Sequence, residues 1–228
     1  MTWVTCGDAL EVLAAMPPMS VDLVATDSPF SINTKSDGLG KLSPWADTLN
    51  AAHWYTLWIA ACRRVLKPTG AMWTCLNWRS QTVFYKASCD LGWSIESMLV
   101  WDKSWIGPGG NRGLRPSYEQ VALWAMPDFG LQDRGLSDLQ QFPWASHKPN
   151  GHPAEKPVTL FRWIIKHSLP KGGHVHDPFV GSGTTGEAAL SLQCTFSGSE
   201  VDPYWADFAN TRIRQAGQQV PLFAGVAR

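Results

Sequence analysis

Residues 174–186 read His-Val-His-Asp-Pro-Phe-Val-Gly-Ser-Gly-Thr-Thr-Gly: a short strand, a glycine-rich turn, then the start of a helix. No other segment constrains the fold as much, because a strand that turns through glycines straight into a helix belongs to a sheet with helical crossovers. The remainder of the chain keeps the same rhythm, short apolar runs alternating with amphipathic stretches. Val21–Thr26 is expected to be a buried strand. A helix from about Ala51 to Leu66 follows, ended by the breakers Lys67-Pro68-Thr69-Gly70. Ala71–Leu76 reads as a strand and Arg79–Leu91 as a helix stopped at Gly92. Ser94–Trp101 and Tyr118–Met126 are strand-like and flank a loop over 107–113. A helix opens at Pro157 and runs to about His167, consistent with proline in a first turn. His174–Asp177 and Thr195–Val201 read as strands, Thr184–Leu192 and Pro203–Gln215 as helices. The 228 residues therefore predict one doubly wound α/β domain, with 127–151 as a short irregular insertion.

Composition narrows the class. A chain 44% hydrophobic and 17% charged suits a packed globule, and no apolar run is long enough to span a membrane. The first residues lack the basic and apolar regions of a signal peptide, so a cytoplasmic location is expected. The five cysteines are scattered without a CxxC pair and read as reduced thiols. His174 and His176 share a strand face without a third ligand, so no metal site is expected. Arg64 and Lys67 are expected to complement the dipole at the end of their own helix. The formal net charge is zero, which is unusual for a protein that neutralises phosphates.

In an open parallel sheet, ligands bind beyond the carboxyl ends of the strands, and two of those ends carry unusual residues. The first is Asp177-Pro-Phe179-Val-Gly181-Ser182-Gly183-Thr184-Thr-Gly186, followed one strand later by Glu200-Val-Asp202. Glycines let the backbone approach a ligand closely, and an acid after the next strand suits a ribose diol. Gly181-x-Gly183-x-x-Gly186 also spells the dinucleotide fingerprint, so an NAD-dependent oxidoreductase is the alternative of another class. Against it, Asp177 places a carboxylate where a pyrophosphate would sit; the same carboxylate would attract an ammonium. A plain turn capped by Thr184 is the unadorned alternative, and the absence of GKS or GKT excludes a P-loop.

The second end is Thr26-Asp27-Ser28-Pro29-Phe30. By itself Asp-Ser-Pro is an ordinary turn. At the end of a buried strand it has a chemical use. An exocyclic base amine is a poor nucleophile because its lone pair is delocalised into the ring. The Asp27 carboxylate and the Ser28 carbonyl would accept its N–H bonds, and Phe30 would stack on a base turned out of the duplex.

Taken in order, these segments resemble the amino DNA methyltransferases, in the β arrangement where the catalytic motif precedes the cofactor motif. Gly7-Asp8-Ala-Leu10 through Asp27-Ser28-Pro29-Phe30 resembles the opening block, which ends in Asp-Pro-Pro-Tyr. Leu66-Lys-Pro-Thr-Gly70, Trp101-Asp-Lys103, Arg115-Pro-Ser-Tyr-Glu119 and His152-Pro-Ala-Glu-Lys156-Pro157 are similar to later blocks. The resemblance implies a circularly permuted Rossmann-like sheet, mostly parallel with one reversed hairpin strand. It divides the single domain into a catalytic half (1–126), the insertion in place of a recognition domain (127–151), a cofactor half (152–216) and a tail (217–228). It also implies S-adenosylmethionine as cofactor, held at its methionine end by Asp177, Phe179, Gly181, Ser182, Gly183 and Thr184 with Lys156 facing its carboxylate. Glu200 and Asp202 would serve the ribose side and Asp8 the adenine. Asp27 in first place favours adenine N6 over cytosine N4; Ser28 departs from the usual proline and is expected to loosen the tetrapeptide.

The 25 or so residues between Met126 and Gly151 are too few for a recognition domain, so contact with double-stranded DNA must come from short loops. Candidates are Lys35 and Lys41, and the acid-free loop with Lys103, Arg112 and Arg115, where Trp105 could stack. Recognition is then short or relaxed, or a second subunit, such as a homodimer partner, contributes. A non-catalytic nucleic-acid module would use the same loops but tolerate loss of Asp177.

Overall fold

The computed structural model describes residues 2–29, 48–78, 80–107, 113–144, 155–169 and 172–219. In chain order they form β1 (Val4–Cys6), α1 (Ala9–Ala15), β2 (Val21–Thr26), α2 (Thr48–Val65), β3 (Leu66–Leu76), α3 (Gln81–Leu91) and β4 (Ser97–Asp102). There follow β5 (Tyr118–Ala125), β6 (Leu139–Gln141), α4 (Val158–Ser168), β7 (His174–Asp177), α5 (Thr184–Ser191), β8 (Thr195–Glu200) and α6 (Pro203–Gln219). The eight strands make a single sheet in the order β1-β8-β7-β2-β3-β5-β4-β6. β5 pairs antiparallel with both β3 and β4, while every other pairing is parallel. One reversed strand in an otherwise parallel sheet is what the resemblance implied.

Helices cover both faces, so the central strands bury both sides and read as apolar runs. Leu13 of α1, Tyr55, Trp58 and Ile59 of α2 and Phe84 of α3 pack on Val21, Val24 and Met72. On the other face Leu160, Phe161, Ile164 and Ile165 of α4, with Ala188 and Ala189 of α5 and Ile213 of α6, pack on Leu23, Ala25 and Val175. The buried set on α4 recurs at helical spacing, and Pro157 caps it. Tryptophan supplies much of this packing, and four of its indole N–H groups meet acceptors. Trp73 donates to Ser168 Oγ, Trp124 to Ser88 Oγ, Trp93 to the Ala125 carbonyl and Trp101 to the Phe142 carbonyl, all at 2.7–2.9 Å.

Some boundaries differ from expectation for identifiable reasons. Lys67-Pro68-Thr69-Gly70 does not separate helix from strand. It lies inside β3, where the four residues between Leu66 and Ala71 run against the single Asp22 of β2, a bulge that absorbs the proline. Arg64 donates to the carbonyls of Leu13 and Met16, so it completes the C-terminus of α1 rather than its own helix. Lys67 pairs with Asp22 at 2.8 Å. The insertion is not wholly irregular, since β6 extends the sheet beside β4. β1, only three residues long, is held by α6: Asn210 Oδ1 accepts from the amides of Trp3 and Val4, and its Nδ2 donates to the Val4 carbonyl. His174 and His176 both reach Ser197 Oγ at 2.9 Å. No group of three or more His, Cys, Asp or Glu among the described residues could hold a metal. No helix of those residues is long and apolar enough to cross a membrane.

Candidate active site

β2 and β7 are neighbours, yet the chain leaves β2 toward β3 on one side and β7 toward β8 on the other. The carboxyl ends of such a pair open a crevice. It is a cleft of about 690 Å³ lined by the ends of both strands, among them Asp27, Ser28, Pro29, Asp177, Phe179, Gly181 and Ser182. The two sequence motifs, some 150 residues apart, therefore share one cavity.

On the β7 side the turn is held from within. Thr26 Oγ1 donates to Asp177 Oδ1 at 2.5 Å and the Phe179 amide donates to the same oxygen at 2.9 Å. The Asp177 carboxylate, 1% exposed, thus ties the end of β2 to the turn. Gly181 and Gly183 take positive φ, 52° and 88°, which lets the chain double back beneath α5. The Gly181 amide donates to Glu200 Oε2 at 2.9 Å and the Gly183 amide to the Val180 carbonyl at 3.0 Å. Amides that bind the protein's own acceptors are not offered to a pyrophosphate. Arg212 of α6 bridges Glu187 and Glu155 and reaches Ser182 and Thr184, so the turn and the segment leading to Lys156 are clamped together. Asp8 lines the cleft while its Oδ1 caps α1 through the Leu10 and Glu11 amides. Asp202 is placed otherwise than expected: it is absent from the lining and caps α6 through the Tyr204 amide at 2.8 Å.

Burial raises the Asp177 carboxyl to about 6, against the hydrogen bonds from Thr26, Thr185 and the Phe179 amide. A raised carboxyl favours the folded state below its unfolded pKa and loses that contribution as pH climbs through about 6. Neutral Asp177→Asn is therefore expected to be more stable than the wild type at about pH 8, by on the order of 2–3 kcal/mol. The gap should close toward about pH 4. Urea unfolding at both pH values measures it, and a gap independent of pH would refute the assignment.

On the β2 side, Lys156 Nζ donates to Asp27 Oδ2 at 2.6 Å and lies 3.5 Å from Glu119 Oε2, an ion contact rather than a hydrogen bond. Lys103 Nζ donates to Glu119 Oε1. Burial pushes the Asp27 carboxyl up, Lys156 opposing and Glu119 adding to the rise. Asp27 Oδ1 is buried and has no hydrogen-bond partner among the described residues. Ser28 is 2% exposed and its hydroxyl accepts from Thr74 Oγ1 at 3.3 Å, while Tyr55 donates to the Pro29 carbonyl. Ser28 and Pro29 are thus fastened to β3 and α2, so serine in second place is not left loose.

Several of these side chains meet partners that the sequence did not show. Lys156 faces Asp27 rather than the turn at β7. Lys103 is engaged with Glu119 inside the cleft, over the Trp101 ring, instead of facing outward. Arg115 donates to the carbonyls of Gly107 and Ile106 and braces its own loop. Phe30, Lys35, Lys41 and Arg112 lie outside the described residues, as does the first half of the His152 block. Glu119, Trp54 and Trp144 line the cleft without having been assigned a part in it; an acid opening a buried strand was the available signal for Glu119. Trp105 and Trp144 lie face to face at 4.6 Å, tilted by 33°, beside Lys103.

The profile of a family described as DNA methylase matches residues 21–211. DNA adenine methyltransferase YhdJ of Escherichia coli (strain K12) is 29% identical over 242 residues, covering 91% of this chain and 81% of its own. Among solved structures, M1.HpyAVI in its SAM complex superposes with a TM-score of 0.71 at 20% identity, over 93% of this chain and 99% of that one. The cytosine-N4-specific PvuII DNA methyltransferase gives 0.72 at 17% identity, over 95% and 91% of the two chains.

Proposed function

The chain belongs to the N6/N4 DNA methylase family, and from that membership we propose that it carries a methyl group from S-adenosylmethionine to an exocyclic base amine of double-stranded DNA, adenine N6 in the first place. The oxidoreductase alternative falls with the same membership. One observation carries the assignment of chemistry: Asp27 lines the cleft one strand from the glycine turn, and its buried Oδ1 has no partner among the described residues.

The residues present fit the cofactor. A cleft of this size suits a nucleoside-sized ligand. Phe179 and the Gly181–Gly183 backbone would border its methionine end, Glu200 its ribose and Asp8 its adenine. Asp177 would act by fixing the turn. When bound, S-adenosylmethionine supplies a methyl carbon activated by its sulfonium, whose carbon–sulfur electron pair stays on sulfur.

The chain's own part is orientation and removal of water. Asp27 Oδ1 would accept one N–H of the amine and the Ser28 carbonyl the other, drawing the lone pair toward the methyl carbon. As the new C–N bond forms, the surplus N–H proton passes to Asp27, whose burial-raised pKa suits it to accept. The aromatic wall of Trp54, Trp105 and Trp144 offers stacking surface to a base turned out of the duplex. Lys103 and Arg115 are turned inward, so a second subunit sharing the grip on DNA is part of the proposal.

Incubation with radiolabelled S-adenosylmethionine and duplex DNA, followed by nucleoside analysis, tests this. Label is expected in N6-methyl-2′-deoxyadenosine. Label in N4-methyl-2′-deoxycytidine would overturn the choice of base, and no transfer to DNA would overturn the function.

A further inference from the structure

Around Asp27 four charges alternate in a row. Asp27 follows β2, Lys156 precedes α4, Glu119 is the second residue of the reversed strand β5, and Lys103 follows β4. Lys156 Nζ lies 2.6 Å from Asp27 and 3.5 Å from Glu119, and Lys103 closes on the far oxygen of Glu119. The side chains are 8–20% exposed. Burial raises the Glu119 carboxyl, but the two ammoniums outweigh it and hold it below the ordinary range. Burial would strip Lys156 of its proton, and Asp27 and Glu119 reverse that.

Buried ion pairs seldom add net stability over apolar residues of the same size, so stability does not account for the row. What the row does produce is an asymmetric Asp27. An ammonium with a single carboxylate partner can move between its two oxygens. One held from behind by a second carboxylate stays on Oδ2, and Oδ1 is left without a hydrogen-bond partner among the described residues.

We propose that Glu119 is a positioning residue for methyl transfer: pinned by Lys103, it holds Lys156 against Asp27 Oδ2 and so keeps Asp27 Oδ1 as the acceptor of the target amine. This rests on the role given to Asp27 above. Among the described residues, the charged or titratable groups facing Asp27 are Lys156, Glu119 and Lys103, with Asp177 from β7 and the Cys75 thiol from β3.

The test is steady-state kinetics of the whole protein with S-adenosylmethionine and duplex DNA. Glu119→Gln is expected to lower kcat about 10–100-fold, the scale of a small misplacement, with both KM values within about twofold. The acid limb of the kcat profile should move to lower pH, because the negative charge that raises the Asp27 carboxyl has gone. The double variant Glu119→Gln/Lys103→Met removes the stranded ammonium as well. It also stands in for the single variant if that one does not fold. Positioning predicts that the double stays slow; recovery to wild-type kcat would show that Glu119 only neutralises Lys103 and would overturn the proposal. So would wild-type kcat in Glu119→Gln, or a loss confined to KM. Asp27→Ala run alongside separates the two levels: an active Asp27→Ala defeats the underlying role of Asp27, whereas an inactive one beside a fully active Glu119→Gln defeats only the inference about Glu119.

Discussion

Asp27→Ala is expected to lower kcat for methyl transfer by about 100- to 10,000-fold, the range spanned by loss of a positioned proton acceptor. The less obvious expectation concerns Asp27→Asn, which should be impaired nearly as much. Asn keeps the shape but has one oxygen, and two places require one. Lys156, buried and protonated, demands an oxygen at Oδ2. The amide NH₂ is then left at the Oδ1 position, where it repels the N–H groups of the target amine. Only a carboxylate serves both sides. Kinetics of the two variants check this, with cooperative unfolding and cofactor binding retained as controls. An Asn variant within tenfold of the wild type would show that Lys156 does not fix the orientation.

Gly198→Ala is expected to damage the fold itself. Gly198 sits in β8 directly opposite Asp177 of β7. A Cβ there would stand 2.3 Å from Val180 Cγ2 and 2.6 Å from the Asp177 carbonyl oxygen. The second of these is backbone, which no rotamer change relieves, so the two strands must part below the glycine turn. Overpacking of this kind costs about 3 kcal/mol. In a chain of this length that lowers Tm by about 6–12 °C. Because the displaced atoms carry Asp177 and Val180, cofactor binding should weaken even where the protein stays folded. Thermal unfolding with and without S-adenosylmethionine measures both, and an unchanged Tm would mean the strands give way without cost.

The sheet was largely legible because its central strands are buried on both faces. Val21–Thr26 and His174–Asp177 form as read, the first because a largely apolar run leaves few alternatives, the second because it leads straight into the glycine turn. β1 and β6 were not, because three residues carry no periodicity; β1 depends on Asn210, more than 200 positions away. The bulge in β3 was hidden by the usual meaning of Lys-Pro-Thr-Gly as a helix stop. In the site, residue types announced themselves but partners did not. Lys156 is marked by its motif, yet only the fold shows its ammonium on Asp27, 129 residues away. Lys103 looked like a phosphate contact for the same reason, since an acid-free stretch of sequence says nothing of Glu119 arriving from the next strand. Asp202 could not be told from a ligand-binding acid until its carboxylate was seen on α6.

β2 and β7 lie side by side, paired at Leu23 with Val175 and Val24 with His176, and Thr26 is bonded to Asp177 just beyond. On the proposed assignment, donor and acceptor of the methyl group hang from adjacent strands. Their separation is then set by the repeat of the sheet, about 4.8 Å per strand. That distance is among the least adjustable in any protein. The loops that meet DNA can lengthen, shorten or change sequence freely, and the ruler between the two reacting partners keeps its gauge.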